Sequence, residues 1–187
     1  RSSDLYDVQV QVSDGSLSDT QDIAVSVADV NEAPVISSDG GGDNAALSVD
    51  ENTTAVTTVA ATDVDAGATL SYSISGGADQ ALFSIEASTG ALAFVSAPNF
   101  EAPADAGADN VYDVQVQVSD GSLTDTQDIA VTVADVNEAP VITSDGGGDA
   151  AALTVDENTT AVTTVAASDV DAGATLSYSI SGGADQA

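Results

Sequence analysis

Apolar side chains occupy every second position of YDVQVQV, residues 6–12, and the same seven residues return at 112–118. Alternation with a period of two places one side of an extended strand in a core and the other side in water. The stretches around Ile23 and Leu70 alternate in the same way, and no apolar stripe with helical spacing extends over a useful length. The sequence therefore predicts short strands and an all-β fold.

The alternating stretch is part of a long internal repeat. Residues 6–81 recur as 112–187, an offset of 106 residues, and six of the 76 paired positions differ. Five of these six differences exchange Ser and Thr. Because the repeat has the usual size of a domain, the chain is expected to be a window on a tandem array of nearly identical modules.

The segment ADVNEAP, at 28–34 and again at 134–140, marks the expected boundaries between modules. Proline cannot donate to a strand ladder and therefore indicates the exit from one sheet and the entry to the next module. On this phasing, residues 1–32 are the C-terminal part of one module, residues 33–138 a complete module, and residues 139–187 the N-terminal part of the following one. Each flanking part lacks much of a sandwich and is expected to be less stable alone.

Turn signals divide the complete module into a series of short strands. Strands are predicted near 45–50, 55–61, 69–75, 82–86, 90–95, 111–119 and 126–134. Seven alternating strands in a module of this length predict a Greek-key β-sandwich. Its core is expected to contain the larger apolar residues: Leu47, Val49, Val56, Val59, Leu70, Tyr72, Ile74, Phe83, Ile85, Leu92, Phe94, Tyr112, Val114, Val116, Val118, Ile129, Val131 and Val133.

The composition excludes several classes of function. The chain has 31 acidic residues, one basic residue and a formal net charge of −30, so nucleic acids and anionic membrane surfaces are not expected partners. Without His or Cys, zinc, iron–sulfur and haem sites lack their usual ligands, and nucleophilic catalysis with a His base is excluded. No apolar stretch is long enough to insert into a membrane as a helix. The oxygen donors that remain are the ligands of hard cations, with calcium first.

Acidic residues outside the predicted strands concentrate in a few motifs. A calcium ion takes roughly six to eight oxygens, which only several converging loops can supply. Ordinary turns are the alternative explanation, because Asp and Asn also favour turns, but the motifs occur together around a module boundary. They are Asp50-Glu51-Asn52, Asp63-Val64-Asp65-Ala66-Gly67, Asn99-Phe100-Glu101, Ser119-Asp120-Gly121 and Asp135-Val136-Asn137-Glu138-Ala139-Pro140.

The order of these motifs resembles the cadherin repeat. Between them stand further elements of that family's pattern: Tyr72-Ser73-Ile74, Phe83-Ser84-Ile85, Thr89-Gly90 and the strand from Tyr112 to Asp120. The match runs through the whole module in the right order. The near-identical copies and the absence of Lys are similar to the cadherin-like arrays of bacterial surface adhesins.

The resemblance implies that calcium ions lie between successive modules, held by the base of one module, the linker and the top of the next. At the boundary near Pro140, the implied ligands are Glu51, Glu101, Asn137, Glu138, Asp169 and Asp171. At the boundary near Pro34, they are Asn31, Glu32, Asp63, Asp65 and Asp120. The chain departs from the family pattern at Glu32 and Glu138, where Asp is usual, and at Asn99, where the acidic triplet usually begins with Asp.

Other acidic residues are less informative. Asp39 and Asp43 flank the glycines of the insertion at 37–43, which is either an additional cation site or, as the preferred interpretation, a flexible loop. A further six alternate with apolar residues on strands and are expected to be solvated and to protect edge strands from pairing. These six are Asp7, Asp19, Asp22, Asp113, Asp125 and Asp128.

The predicted function is that of a calcium-binding structural module in a large extracellular adhesin or fibre. Its expected partners are the neighbouring repeats of the same chain, and self-association between cells or fibres is left open. The alternative is a homophilic or carbohydrate-binding module of a secreted multidomain protein. An enzyme is not expected, because glycoside hydrolysis by paired carboxylates needs a cleft with aromatics, and most aromatics here fit core positions. The acidity also suits solubility at high salt.

Overall fold

The computed structural model describes residues 4–185, and within them strands make up nearly all the regular structure. A short 3₁₀ helix, Gln80–Leu82, precedes the eighth strand. The strands are β1 (Leu5–Ser13), β2 (Ser18–Ser26), β3 (Val35–Ile36), β4 (Asn44–Asp50), β5 (Ala55–Thr58), β6 (Ala61–Thr62), β7 (Ser71–Gly76), β8 (Phe83–Ile85), β9 (Ala91–Phe94), β10 (Val111–Ser119), β11 (Thr124–Ala134), β12 (Val141–Ile142) and β13 (Ala167–Ser168).

The larger sheet has the strand order β4-β11-β10-β7. β10 and β11 form an antiparallel hairpin, β10 also pairs antiparallel with β7, and β11 pairs parallel with β4. Alternation controls which side chains face inward, because Tyr112, Val114, Val116 and Val118 are only 0–1% exposed. Each buried side chain of this kind contributes about 1.5–3 kcal/mol to folding.

A second sheet with the order β5-β9-β8 packs over the first and closes the core. Phe83 stacks on Phe94 with their ring centroids 4.5 Å apart, and Phe94 meets Tyr112 edge-on at 5.2 Å. This aromatic contact joins the two sheets, since Tyr112 belongs to the larger one. The two sheets hold seven strands, so the all-β sandwich predicted from the alternation is confirmed.

The predicted core is also confirmed, because every residue expected in it is buried or packed against the buried cluster. Two details differ. The strand predicted at 55–61 is interrupted at residues 59–60, where the chain leaves its pairing with β9 and begins to pair with β3 through β6. Ile36 lies in the core through the short pairing of β3 with β6, a two-residue element that is too brief to produce visible alternation.

The flanking segments repeat parts of this architecture. β1 and β2 pair in the register of β10 and β11, so that Tyr6 faces Val25 as Tyr112 faces Val131. β12 and β13 repeat the pairing of β3 and β6. Residues 150–156, which correspond to β4, form no regular strand in the described structure.

Hydrogen bonds change the interpretation of some acidic side chains. Asp125 is partly buried and accepts the Ile36 N–H at 2.8 Å, so its prediction as a purely solvated residue is wrong: it caps β3. Asp39 accepts the Thr57 hydroxyl at 3.0 Å, and the Gly42 carbonyl accepts the Gln127 side-chain amide at 3.0 Å. The glycine-rich insertion is therefore tied to β5 and β11.

Candidate metal centres at two junctions

Four carboxylates meet beside residues 135–140, the linker that follows β11, and this region is called the second junction below. One oxygen from each of Glu51, Glu101, Asp135 and Glu138 lies within 4.8 Å of the others. Glu51 follows β4, Glu101 lies in the turn that precedes β10, and the other two follow β11. Three separate segments thus place like charges at one point.

Glu51 organises this junction from inside. Its side chain is only 1% exposed. Its Oε1 accepts the Val136 N–H and its Oε2 accepts the Phe100 N–H, both at 3.0 Å. Hydrogen bonds from backbone N–H groups to a carboxylate are about twice as strong as neutral ones. Glu51 therefore fixes both the linker and the turn that carries Glu101.

Glu138 joins the segments on either side of the linker. Its Oε1 accepts the side-chain amide of Asn52 at 2.9 Å, and its own N–H donates to Oδ2 of Asp171 at 3.0 Å. Asn52 has a left-handed backbone with φ of 61°, a conformation that Asn adopts more readily than most residues. Two other buried oxygens, Glu138 Oε2 and Asp171 Oδ1, have no hydrogen-bond partner among the described residues.

The electrostatics of the second junction oppose full ionisation. Burial raises the pKa of Glu138, and the charges of Glu51 and Glu101 raise it further, although the Asn52 amide partly offsets them. Burial likewise raises the pKa of Asp135, together with the charges of Asp171 and Glu51. A bound cation would remove this repulsion.

The first junction repeats the arrangement with fewer residues. Asp29, Glu32 and Asp65 bring one carboxylate oxygen each within 4.8 Å of the others. The Glu32 N–H donates to Oδ2 of Asp65 at 2.9 Å, as Glu138 does to Asp171. Asp63 accepts the Asp65 N–H through Oδ1 at 2.8 Å, whereas its buried Oδ2 has no partner in the described part of the chain.

Asn31 and Asp120 form a direct contact across the first junction. The Asn31 side-chain amide donates to Oδ2 of Asp120 at 2.7 Å. The Leu123 N–H, followed by Asn31 and the Ser122 N–H, holds the pKa of Asp120 below its ordinary value. Asp120, which lies in the turn between β10 and β11, is therefore held ionised beside the linker that precedes β3.

The structure places the predicted ligands as follows. Five of them stand in the two carboxylate groups: Glu32, Asp65, Glu51, Glu101 and Glu138. Asp169 accepts the Asp171 N–H at 3.0 Å, as Asp63 accepts the Asp65 N–H. The Asn137 side-chain amide donates to the Glu138 carbonyl at 3.0 Å. Asn31, Asp63, Asp120, Asn137, Asp169 and Asp171 lie around the groups rather than within them.

The structure adds Asp29 and Asp135, which belong to neither predicted ligand set. Each begins the acidic part of its linker, two residues before Asn31 and Asn137 respectively. Their membership in the same recurring segment is the signal that could have identified them.

The donors at both junctions fit a hard cation. Every side-chain donor in the two groups is a carboxylate oxygen, which suits calcium, whereas zinc and copper favour nitrogen and sulfur. Buried polar atoms are normally hydrogen-bonded, so the unpartnered oxygens of Asp63, Glu138 and Asp171 are consistent with coordination. Neither Asp39 nor Asp43 belongs to a comparable group within residues 4–185.

The secondary structure also bears on membrane insertion. Across the described residues, no helix has both the length and the apolarity needed to cross a bilayer.

Comparison with known proteins agrees with the fold. Residues 45–134 match the sequence model of the Cadherin domain, and no curated protein matches the chain. Among solved structures, EC3-6 of protocadherin gammaB7 in a cis-dimer structure is 25% identical, with a TM-score of 0.57 over 90% of this chain and 43% of that one. Extracellular cadherin domains 3-6 of protocadherin Gamma B2 are 24% identical, with a TM-score of 0.58 over 90% and 43%.

Human CDH23 EC21-23 is 19% identical, with a TM-score of 0.59 over 90% of this chain and 55% of that one. The chain thus spans 43% of the two protocadherin structures and 55% of the CDH23 structure. The β-sandwich described above has the cadherin fold, and the sequence match to the Cadherin domain extends over residues 45–134.

Proposed function

We propose that the chain is a calcium-binding structural part of a large extracellular adhesin or fibre. On this proposal, residues 33–138 are one complete module, and residues 1–32 and 139–187 belong to its neighbours. Calcium at the junctions holds successive modules at a fixed angle and stiffens the rod. The modules support adhesion mechanically and catalyse no reaction.

The observation that carries this proposal is the set of buried carboxylate oxygens that lack hydrogen-bond partners. Asp63 Oδ2, Glu138 Oε2 and Asp171 Oδ1 lie at the two junctions, and no described residue satisfies them. A buried charge without a partner is costly enough that proteins rarely retain one. A divalent cation supplies the missing partner.

The junction residues have two roles in binding: one holds the segments in place, and the others supply oxygens to the cation. Glu51 holds the linker and the acidic turn through its two N–H contacts. Glu101, Asp135 and Glu138 supply further oxygens at the second junction, while Asp29, Glu32 and Asp65 supply them at the first. Calcium, when bound, neutralises these carboxylates and couples the linker to the modules on both sides.

Near-identity of the copies favours a spacer over a set of distinct recognition domains. The repeated positions differ mainly by exchange of Ser and Thr, so successive modules present nearly the same surface. A spacer that carries a separate ligand-binding tip needs no more than this. The absence of Lys and the near-identical copies also support a bacterial surface adhesin as the full protein.

Thermal unfolding and small-angle X-ray scattering test the proposal. We expect calcium to raise the midpoint of unfolding and to increase the maximum dimension, relative to the protein in chelator. Calcium at a hundred times its dissociation constant stabilises each site by about 2.7 kcal/mol. If the midpoint and the dimension are the same in both buffers, the calcium proposal is wrong.

A matched pair of variants assigns the effect to the junction. Glu138→Gln removes one charge from the second junction, whereas Glu86→Gln removes one from an exposed position outside both groups. Calorimetric titration with calcium should show weaker binding for Glu138→Gln and unchanged binding for Glu86→Gln. Equal weakening in both variants would indicate nonspecific attraction to the acidic surface.

A further inference from the structure

The tripeptide Ser-Asp-Gly occurs four times in the chain, in two different structural settings. Two copies, at 13–15 and 119–121, lie in the turns of the hairpins β1–β2 and β10–β11 and are called the hairpin turns. The other two, at 38–40 and 144–146, lie in the glycine-rich insertion and its repeat and are called the insertion turns. The three residues are the same in every copy, so a difference in their reactivity has to come from the fold.

An aspartate that precedes glycine can convert spontaneously to isoaspartate, since glycine has no Cβ to hinder the approach of the reacting groups. The glycine amide nitrogen bonds to Cγ of the aspartate, and its proton leaves with the hydroxyl of the protonated carboxyl group as one water molecule. Water then adds to the cyclic imide and breaks one of its two C–N bonds to the ring nitrogen. Breaking the bond to Cγ restores aspartate, whereas breaking the other leaves the glycine attached through Cγ. The reaction needs an unengaged N–H and a carboxyl group that can turn toward it.

The hairpin turns engage both reacting groups. The Gly121 N–H donates to Oγ of Ser119 at 3.0 Å. Oδ1 of Asp120 accepts the N–H groups of Ser122 and Leu123 at 2.6 and 2.7 Å. The turn between β1 and β2 has the same three hydrogen bonds, at 2.8–3.1 Å. Since hydrogen bonds to a carboxylate are about twice as strong as neutral ones, both reacting groups are held in place.

The insertion turns leave the same groups less engaged. Oγ of Ser38 is buried and has no hydrogen-bond partner among the described residues, so it does not accept the Gly40 N–H as its counterpart in the hairpin turn does. The Asp39 carboxylate accepts the Thr57 hydroxyl, at 3.0 Å to one oxygen and 3.3 Å to the other, in place of two backbone N–H groups. The repeat at 143–149 has the same unpartnered serine hydroxyl and the same contact between aspartate and threonine.

The glycine backbone does not distinguish the two settings. Gly40 has a φ of 93° and Gly121 a φ of 98°, and a Cβ at either position would meet nothing within 4 Å. The aspartate backbone differs, because Asp39 and Asp145 have left-handed φ values of 53° and 54°. A left-handed conformation is less favourable than a right-handed one for a residue with a Cβ. Access to the nitrogen is therefore equal, and the hydrogen bonds and the aspartate conformation make the difference.

We propose that Asp39 and Asp145 are sites of spontaneous conversion to isoaspartate, whereas the fold protects Asp14 and Asp120. Conversion adds one methylene group to the main chain and moves the carboxylate to the α-carbon. The Thr57 hydroxyl then loses its acceptor, which releases the tie between the insertion and β5. Protection of Asp120 preserves the residue that contacts the linker at the first junction.

Peptide mapping of the full chain measures the conversion. The chain is incubated at pH 7.4 and 37 °C with chelator, so that calcium plays no part and the result is independent of the proposed function. Cleavage after glutamate separates the four tripeptides, because Glu32, Glu51 and Glu138 lie between them. Electron-transfer fragmentation distinguishes isoaspartate from aspartate of equal mass. We expect isoaspartate to form about three to ten times faster in the insertion turns than in the hairpin turns, the factor that one hydrogen bond of ordinary strength gives.

Incubation in urea above the unfolding transition is the control for local sequence. Without the folded turns, the four tripeptides should react at nearly the same rate, because their three residues are identical. If the insertion turns are faster in urea by the same factor, the neighbouring residues are responsible and the proposal is overturned.

A matched pair of variants tests the role of the serine. Ser119→Ala removes the acceptor of the Gly121 N–H, so conversion at residue 120 should rise toward that at residue 39. Ser38→Ala removes a hydroxyl without a partner in the described part of the chain, so conversion at residue 39 should not change. Circular dichroism checks that both variants are folded.

Three outcomes for the folded protein overturn the proposal. The first is conversion at residue 39 that is absent or no faster than at residue 120. The second is an unchanged rate at residue 120 in Ser119→Ala. The third is a changed rate at residue 39 in Ser38→Ala, which would show that this hydroxyl already acts on the reacting groups.

Discussion

The buried carboxylate of the single residue Glu51 connects two segments of the second junction. It accepts N–H groups from Phe100 and Val136, which belong to different segments of the second junction. In Glu51→Ala, both N–H groups lose their acceptor, and an unsatisfied buried group costs about 1–3 kcal/mol. Urea unfolding in chelator should show a fall of at least that size in the free energy of unfolding.

Glu86→Ala is the control for this loss, because Glu86 is exposed and its carboxylate accepts the hydroxyl of the nearby Ser88 at 3.2 Å. Its free energy of unfolding should change by less than about 0.5 kcal/mol. An equal loss in both variants would contradict the role given to Glu51.

Asp105 makes a separate, pH-dependent contribution in the loop before β10. Burial raises the pKa of Asp105, but the N–H groups of Asp109 and Asn110 outweigh burial and hold this pKa below its ordinary value. Because the folded state lowers the pKa, the resulting stability is present above the unfolded pKa of about 3.9 and is lost as pH falls through the folded value.

We therefore expect Asp105→Asn to lower the free energy of unfolding by about 1–3 kcal/mol at pH 7. The difference from the unmodified protein should shrink below about pH 4. Urea unfolding of both proteins between pH 7 and pH 2.5, followed by circular dichroism, measures it. A difference that does not vary with pH would mean that the Asp105 charge is not responsible.

At the scale of elements, Gly90 controls how β9 begins beside the break between β5 and β6. Its φ is 74°, and a Cβ at this position would collide with the carbonyl oxygen of Val59. That carbonyl belongs to the residue that interrupts the predicted strand. Gly90→Ala should lower the free energy of unfolding by at least about 2 kcal/mol, through backbone strain and steric overlap.

Gly40 separates these two causes. It has a φ of 93°, and a Cβ there would meet nothing within 4 Å. Gly40→Ala should therefore cost about 1–2 kcal/mol for the backbone conformation alone. Thermal or urea unfolding of the two variants gives the difference, and equal losses would show that the contact with Val59 has no effect.

The strands also show how far the sequence could be interpreted. Alternation in residues 111–119 predicted β10 and its buried face, because a half-buried strand must separate apolar from polar side chains. β3 was missed since its two residues are too few to alternate. The break after Thr58 lies where the chain changes its pairing from β9 to β3, a tertiary arrangement that a local pattern does not contain.

The candidate site was also predictable only in part. The acidic segments were visible in the sequence, because carboxylates cluster there outside the strands. Their grouping depends on the sheet topology, which brings the end of β4 beside the end of β11. Asp135 joins Glu51 and Glu138 only through this arrangement. Position in a motif therefore predicts which segments are acidic, whereas the fold determines which of their carboxylates lie together.

For the whole molecule, the net charge of −30 affects stability even before any cation binds to a particular site. Self-repulsion destabilises a compact state of high charge, and dissolved salt screens it. In chelator, we expect the midpoint of thermal unfolding to rise between 20 mM and 500 mM sodium chloride. Calcium should reduce this dependence on salt, because neutralised junction carboxylates contribute less repulsion.

The choice of salt distinguishes general screening from binding of the added cation. Tetramethylammonium chloride screens charge at the same ionic strength, but its bulky cation cannot enter a cluster of carboxylate oxygens. Equal increases in midpoint with both salts would assign the effect to screening over the whole surface. A rise with sodium chloride alone would contradict that assignment and indicate that sodium occupies the junctions, where burial and then the charges of Glu51 and Glu101 raise the pKa of Glu138.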